Sequence, residues 1–538
     1  MPNAQARRGA QQSAQPFIFP APIKGINAIA PMAGMDPEEC IFTYNLIAED
    51  FGMEVRDGFL EWANGWPGGA ARTAMPFEGN IDTDDRLFVA SFDGIFDVTV
   101  QGTIVPLQVV TFPNQTGNAG ICSFVNYGND AGDRFLLVCD GQNGYYVWTQ
   151  STDTWAKITT EIIGADATQF NFVMIWKTRV WFVEKDTGIA HFLDKSDEFI
   201  GTVSLFNWGD QFRFGGALVS LHNWTLDGGR GMDDYLVGLS DAGDIIVYQG
   251  LDPTSKSDFG LVGSWYIGEV PAGNRIASEF SGELYILSVQ GLISLSELLN
   301  GSAVSSPETY MTAKVSPYIR GITDTVLKDF GWHVHIHPKQ SLLFVNTPPR
   351  ASQEQIAFVL YFGHRSWSIF RGLNKAHTAN WRGEVYWTDI DTNKIYIQRG
   401  HVDNVLIDPE TDGPARDIQW SLLTAYSDLG VGPTFKRMHF ARANFFGFEA
   451  PSYLVQASYD FRVNEILGNA VGTGELESGL WNVDSWNNAL WTGSESVSHE
   501  LRGVTGMGRH VAIALKGSSS KAVTLVSFDC IFDTGGMV

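Results

Sequence analysis

The stretch Arg134-Phe135-Leu136-Leu137-Val138-Cys139-Asp140-Gly141-Gln142-Asn143-Gly144-Tyr145-Tyr146-Val147-Trp148 (RFLLVCDGQNGYYVW) decides the fold class. Two runs of apolar and aromatic residues flank a turn made of Asp, Gly, Gln and Asn. In a strand successive side chains point to opposite faces, and Gly, Asn and Asp most readily adopt the dihedrals of a tight reversal, so the stretch specifies a β-hairpin. The unit recurs along the chain. Arg86–Ser91 turns at Asp93-Gly94 into Ile95–Val100, and Phe172–Trp176 precedes Arg179–Val183. Tyr235–Leu239 turns at Asp241-Ala242-Gly243-Asp244 into Ile245–Tyr248, and Glu283–Leu287 turns near Gly291 into Leu292–Leu295. Ala357–Tyr361 before Trp367–Phe370, then Glu384–Trp387 before Lys394–Ile397, continue the series.

Hairpins repeating every ~40–50 residues indicate the blades of a β-propeller, in which each small sheet buries its faces against its neighbours. Residues 76–404 therefore read as a propeller of about six to eight blades, with an array of β-sandwiches as the structural alternative. Residues 1–20, small, polar and rich in Gln and Ala, read as a flexible arm. After residue 405 the rhythm stops, and longer runs such as Ser452–Tyr459 and Ala522–Phe528 indicate a second β unit. The fold class is all-β.

Composition agrees. The chain has 538 residues, 57 of them glycine, with 13% aromatic and only 18% charged side chains. That length exceeds one ordinary core, and that composition is globular. The formal net charge of −24 argues against tight binding of nucleic acid, which requires Lys and Arg to neutralise phosphates. It leaves room for nucleic acid passing an acidic wall without sticking. Cys40, Cys122, Cys139 and Cys530 have no framework spacing and read as reduced, buried thiols. Arg7-Arg8 has no apolar segment behind it, so no secretion signal is expected, and no apolar run reaches the ~18–20 residues of a membrane span.

Signatures of catalysis are missing: no HExxH, no GxxxxGK[ST], no GxSxG. Gly472-Thr473-Gly474 and Gly506-Met507-Gly508 read as turns, and Ser240-Asp241-Ala242-Gly243 only approximates a sialidase box. Asp389-Ile390-Asp391-Thr392-Asn393 imitates the start of a Ca²⁺ loop but lacks its glycine and terminal Glu, so it reads as a hairpin turn. Asp82, Asp84 and Asp85 read as a solvated loop. The best metal candidate is Gly331-Trp332-His333-Val334-His335-Ile336-His337. On a strand its three imidazoles share one face, about 7 Å apart. The plainer reading is the polar face of a half-buried strand, paired through Pro338-Lys339-Gln340 with Leu342–Val345. On this reading no catalytic, cofactor-binding or metal residues are assigned, no cofactor is expected, and the chain is not an enzyme.

Two regions carry a resemblance. Pro22-Ile23-Lys24-Gly25-Ile26-Asn27, Met35-Asp36-Pro37, Tyr44-Asn45-Leu46 and Val55-Arg56-Asp57-Gly58-Phe59 resemble the opening of the tail nozzle proteins of short-tailed bacteriophages, the family of tail tubular protein B and packaged-DNA stabilisation proteins. Ile26 and Leu46 stand where that family has tryptophan. Thr424-Ala425-Tyr426, Lys436-Arg437-Met438, the Trp481/Trp486/Trp491 segment, Gly503–His510 and Phe532–Gly536 resemble its closing pattern. The resemblance implies that residues 21–75 and 405–538, from both chain ends, build one β platform from which the propeller projects. It implies a structural virion protein that forms a ring of roughly six copies below the tail adaptor ring, retains packaged DNA and conducts it during ejection without reading its sequence. Tail fibres or tailspikes and the host envelope are the further partners it implies. Two other classes stand beside it: a propeller carbohydrate-active enzyme such as a phage depolymerase, and a monomeric interaction scaffold.

Overall fold

The hairpins stand where the alternation places them. In the computed structural model the described residues are all but 1–13, 228–231, 256, 302–305, 351–353, 408–414, 433, 448–450, 468–495, 499 and 536–538. The Arg134–Asp140 and Gly144–Thr149 strands pair in register from Phe135↔Thr149 to Asp140↔Gly144. Asp140 is fully buried at the turn, where its carboxylate accepts from the Gln142 N–H (3.1 Å) and the Asn143 amide (2.8 Å). Gly144 has φ +88°, and a Cβ there would stand 2.7 Å from Thr168 Cα, so only glycine closes this hairpin.

Six small sheets are arranged as the blades of a β-propeller. Blade 1 comprises Thr73–Phe77, Arg86–Ala90, Gly94–Asp97 and Leu107–Thr111; blade 2 comprises Cys122–Gly128, Arg134–Asp140, Gly144–Thr149 and Thr154–Ile158. Blade 3 is built on Phe170–Trp176, Arg179–Glu184, Ile189–Leu193 and Gly201–Asn207, and blade 4 on Leu218–Asp227, Met232–Ser240, Asp244–Gly250 and Phe259–Tyr266. Blade 5 has three strands, Ala277–Phe280, Glu283–Ser288 and Gly291–Ser294. Blade 6 joins Lys375–Trp381, Glu384–Asp389 and Lys394–Gln398 to Phe59–Asn64, so a strand from early in the chain closes the ring. Between blades 5 and 6 the ring is completed by a wedge of four strands, His333–His337, Leu342–Asn346, Ile356–Tyr361 and Ser366–Arg371. This wedge belongs to a nine-stranded sheet whose other half lies in the platform.

The platform is a sandwich of that shared sheet and an eight-stranded one. In the latter, Val523–Thr534 pairs with Gln15–Pro20, Gly52–Val55 and Lys436–Gly447, so both chain ends are woven together. In the shared sheet Cys40–Tyr44 meets the wedge at Tyr44↔Ile369 and continues to Arg416–Thr424, Val511–Ser519 and Ser452–Tyr459. Trp420, Phe445 and Tyr453 interlock between the two layers at ring separations of 5.7 and 5.1 Å. A short helix, Ser316–Val326, links blade 5 to the wedge and buries Ile319, Ile322 and Val326 in the same core.

Several expectations need correction. Within the arm expected over residues 1–20, Gln15–Pro20 is a strand, because Phe17 and Phe19 gain a packed face on Val523–Thr534. The propeller begins at Phe59, not at residue 76, since ring closure requires a partner for Lys394–Gln398. The platform and propeller are not separable segments, because one sheet runs through both. Asp85 is buried, its carboxylate paired with Arg382 Nε at 2.9 Å and accepting from the Gly79 N–H at 2.8 Å, so it is no solvated loop residue. The four cysteines are free and buried, as expected. Gly472, Gly474, Trp481, Trp486, Trp491 and Gly536 lie outside the described residues.

Candidate functional site

Two polar clusters stand out in this apolar frame. The first is the joint between platform and propeller. Asn45, with φ 60°, follows Cys40–Tyr44 and accepts at Oδ1 from Arg56 Nε (3.1 Å) and the Arg371 N–H (2.8 Å). Its amide donates to Gln419 O at 2.7 Å. Arg56 is 1% exposed and grips Asp403 with two bonds of 2.7 Å, while also donating to Asp57 O and Arg371 O. A bidentate guanidinium–carboxylate pair whose remaining N–H groups all have acceptors is the arrangement that makes burial of charge tolerable. Beside it, Gly58 meets Val402 so closely that a Cβ would lie 2.0 Å from Val402 O. The resemblance segments Tyr44–Leu46 and Val55–Phe59 are thus the joint itself. Next to the joint lies a cleft of about 470 Å³ that several carboxylates line. Asp403 is held by Arg56, Glu465 by Arg371 (2.9 Å), and Asp389 caps its own turn through the Asp391 and Thr392 N–H groups. The DxDxN stretch is therefore a hairpin turn between two paired strands, as expected from the alternating runs on either side of it.

The second cluster lines the propeller axis. The innermost strands of the six blades and of the wedge surround a cavity of about 550 Å³. His333–His337 pairs with Leu342–Asn346 from His333↔Asn346 to His337↔Leu342, the expected hairpin. The strand is not half-buried. Val334 and Ile336 enter the main core, and His333, His335 and His337 are 7%, 9% and 4% exposed. The two imidazoles nearest the axis, His333 and His335, line the channel, where His377 of blade 6 and His222 of blade 4 join them. The His333 and His377 rings stack at 4.7 Å and 7°. His333 Nδ1 accepts from the Thr378 N–H (3.3 Å) and His377 Nδ1 from the Ala74 N–H (3.2 Å), which places the proton of each neutral ring on Nε2. Asn380 donates to Ile336 O (2.8 Å), so its Oδ1 accepts from His335 Nε2 at 3.1 Å. Burial pushes all these imidazoles down, His335 to about 3 and His222 to about 4, and keeps them neutral near pH 7. Among the described residues, no three His, Cys, Asp or Glu side chains stand where they could hold one metal ion.

Arg275 crosses the axis. It precedes Ala277–Phe280 of blade 5 and donates to Arg72 O (3.0 Å) and Thr73 Oγ1 (2.5 Å) of blade 1 and to Cys122 O (3.4 Å) of blade 2. Asn274 donates to Asn171 O of blade 3 (3.4 Å), and the Val334 N–H of the wedge donates to Arg275 O (2.8 Å). These bonds tie opposite sides of the ring together and separate the axial cavity from a smaller one of about 210 Å³ on the other side of Arg275. Burial lowers the Arg275 guanidinium to about 10, so it stays cationic at neutral pH. Glu279 is the one carboxylate among the cavity-lining residues; it accepts from the Asn223 N–H at 3.0 Å, and desolvation raises it to about 7. No protein-family model matches the chain, and no curated protein matches it.

His333 and His335 are visible in the sequence as candidates, whereas His222, His377, Arg275 and Glu279 are not. The seven inner strands come from distant parts of the chain, and no local pattern records which of them face one another across a ring. The signal that could have found them is coarse: a polar side chain on the first strand of each repeating hairpin unit points to the axis.

Proposed function

We propose that the chain is a structural protein of a phage virion, a tail nozzle whose copies form a ring, hexameric on the family resemblance, below the adaptor ring of a short tail. It retains packaged DNA and conducts it at ejection. The observation that carries this reading is the weave of both chain ends into one platform sheet bearing a propeller, which is the architecture that the resemblance implies. Arg275 blocks the chain's own axis, so a DNA conduit has to lie between copies. The net charge of −24 suits a conduit wall that repels phosphates. At the outer face of the eight-stranded sheet, Phe51 (58% exposed) and Val526 (37%) stand among the Arg442–Asp529 ion pair and the His439–Asp533 hydrogen bond. A flat face mixing apolar and paired polar groups suits the heterologous contacts of a closed ring. Fibres or tailspikes and the host envelope are the further partners of this reading.

Negative-stain imaging of the chain with its adaptor present tests the proposal. Rings with an open centre on the adaptor are expected; a chain that stays monomeric there contradicts it. Turnover of a polysaccharide by the monomer would favour the carbohydrate-active alternative instead, and a soluble monomer that binds proteins through its propeller would favour the scaffold.

A further inference from the structure

The axial cavity has two walls of opposite hydrogen-bonding character. On one side, His333 and His377 commit Nδ1 to backbone N–H groups, leaving two Nε2–H donors with no acceptor among the described residues. Arg275 adds its Nε–H, buried and likewise without an acceptor. On the other side, Asn223 spends its amide N–H on Ile175 O (3.0 Å) and leaves a buried Oδ1 unpaired, next to the Glu279 carboxylate that its backbone N–H holds. A buried donor or acceptor left unpaired is destabilising, and such groups usually have partners. Two such atoms, Arg275 Nε and Asn223 Oδ1, belong to residues that line one cavity together with the Nε2–H groups of the stacked pair, and this set specifies what would satisfy it.

We infer that the propeller axis is a binding site for a small hydroxylated oxyanion, such as a sugar acid or sugar phosphate. The oxyanion accepts from Arg275 Nε and the Nε2 atoms of the stacked His333–His377 pair. The hydroxyls donate to Asn223 Oδ1 and the Glu279 carboxylate. A bare anion leaves the acceptor wall unsatisfied, and a neutral sugar leaves the guanidinium without a countercharge. The cavity volume of about 550 Å³ accommodates a single such molecule. The inference goes beyond the nozzle reading and does not depend on assembly, since every group in it belongs to one chain.

Isothermal titration of the full chain with glucuronate, glucose 1-phosphate, glucose and acetate tests the site. Glucuronate or glucose 1-phosphate should bind at least about tenfold more tightly than glucose or acetate, and which of the two leads distinguishes carboxylate from phosphate. His377→Phe keeps the ring stack, removes the donor and should weaken binding about tenfold. Asn223→Ala should erase most of the preference over acetate. Should a variant fail to fold, ¹⁵N-histidine spectra of the unaltered protein keep the test open, since His333 and His377, among 11 histidines, should shift at Nε2. Equal binding of glucose, binding unchanged in His377→Phe, no binding of either oxyanion, or unshifted His333 and His377 resonances overturns the inference.

Discussion

The joint and the axis are both buried, polar and built around an arginine, yet they are finished differently. At the joint Arg56 has an acceptor for each of its nitrogens, and Asn45 uses both ends of its amide. Along the axis Arg275 keeps a free Nε, and the stacked histidines keep free Nε2 donors. A saturated cluster fixes architecture, because any change leaves a charge or a donor stranded. An unsaturated one holds its unspent bonds for something else. The difference separates a structural arginine from one available to a ligand, though both sit in the same kind of strand-rich surroundings.

The largest effect should come from breaking the saturated cluster. Arg56→Ala strands Asp403 in a site where it is 15% exposed, and the loss should be about 3–5 kcal/mol by denaturant unfolding. Gly58→Ala forces a Cβ against Val402 O and should cost about 2–4 kcal/mol, read the same way. A loss under 1 kcal/mol in either would mean that the saturated cluster does not fix the joint. Arg275→Met should cost less, about 1–3 kcal/mol, because its partners are two carbonyls and a hydroxyl and no carboxylate is left stranded. Hydrogen exchange should then rise in Arg72–Phe77 and Cys122–Gly128, across the ring from the substitution.

The axis carries a pH response of its own below neutrality. His222 and His335 have folded-state values of about 4 and about 3, below the ordinary value of 6.5. Their contribution is therefore complete above pH ~6.5 and shrinks as pH falls, since the unfolded chain takes up the proton first. At pH 5 each should cost about 2 kcal/mol, measured as unfolding free energy against pH. Glu279 acts in the opposite sense between pH ~4.5 and ~7, because its raised folded value favours the protonated, folded form as pH falls. Its side chain is 48% exposed, so water screens its share and the histidines prevail. Substituting His335 with Phe should flatten the acid limb. The smallest effect is at the outer platform face. Phe51→Ser should change stability by less than about 0.5 kcal/mol while reducing ring formation on the adaptor.

What the chain reveals about itself divides along the same line. The hairpins are legible because their information is local: Asp140–Gly144 turns, and the runs on either side alternate. The weave of Gln15–Pro20 onto Val523–Thr534 and the closure of blade 6 by Phe59–Asn64 are not, because strand partners hundreds of residues apart leave no spacing to read. The histidine stretch was visible, and its pairing with Leu342–Val345 followed from the turn. Its burial was not, because alternation cannot tell a face turned to solvent from one turned to a propeller axis. Arg56 belongs to a recognisable segment without disclosing its role, because its partner Asp403 lies 347 residues away.

On the function proposed above, this chain works as a ring, with DNA passing between copies and not along the axis of any one of them. The mass of the complex formed with the adaptor ring, taken by native mass spectrometry, tests it most directly. A single closed species carrying several copies of the chain is expected, roughly six by the family resemblance. Adaptor rings without the chain, beside monomers of it at high concentration, would contradict it.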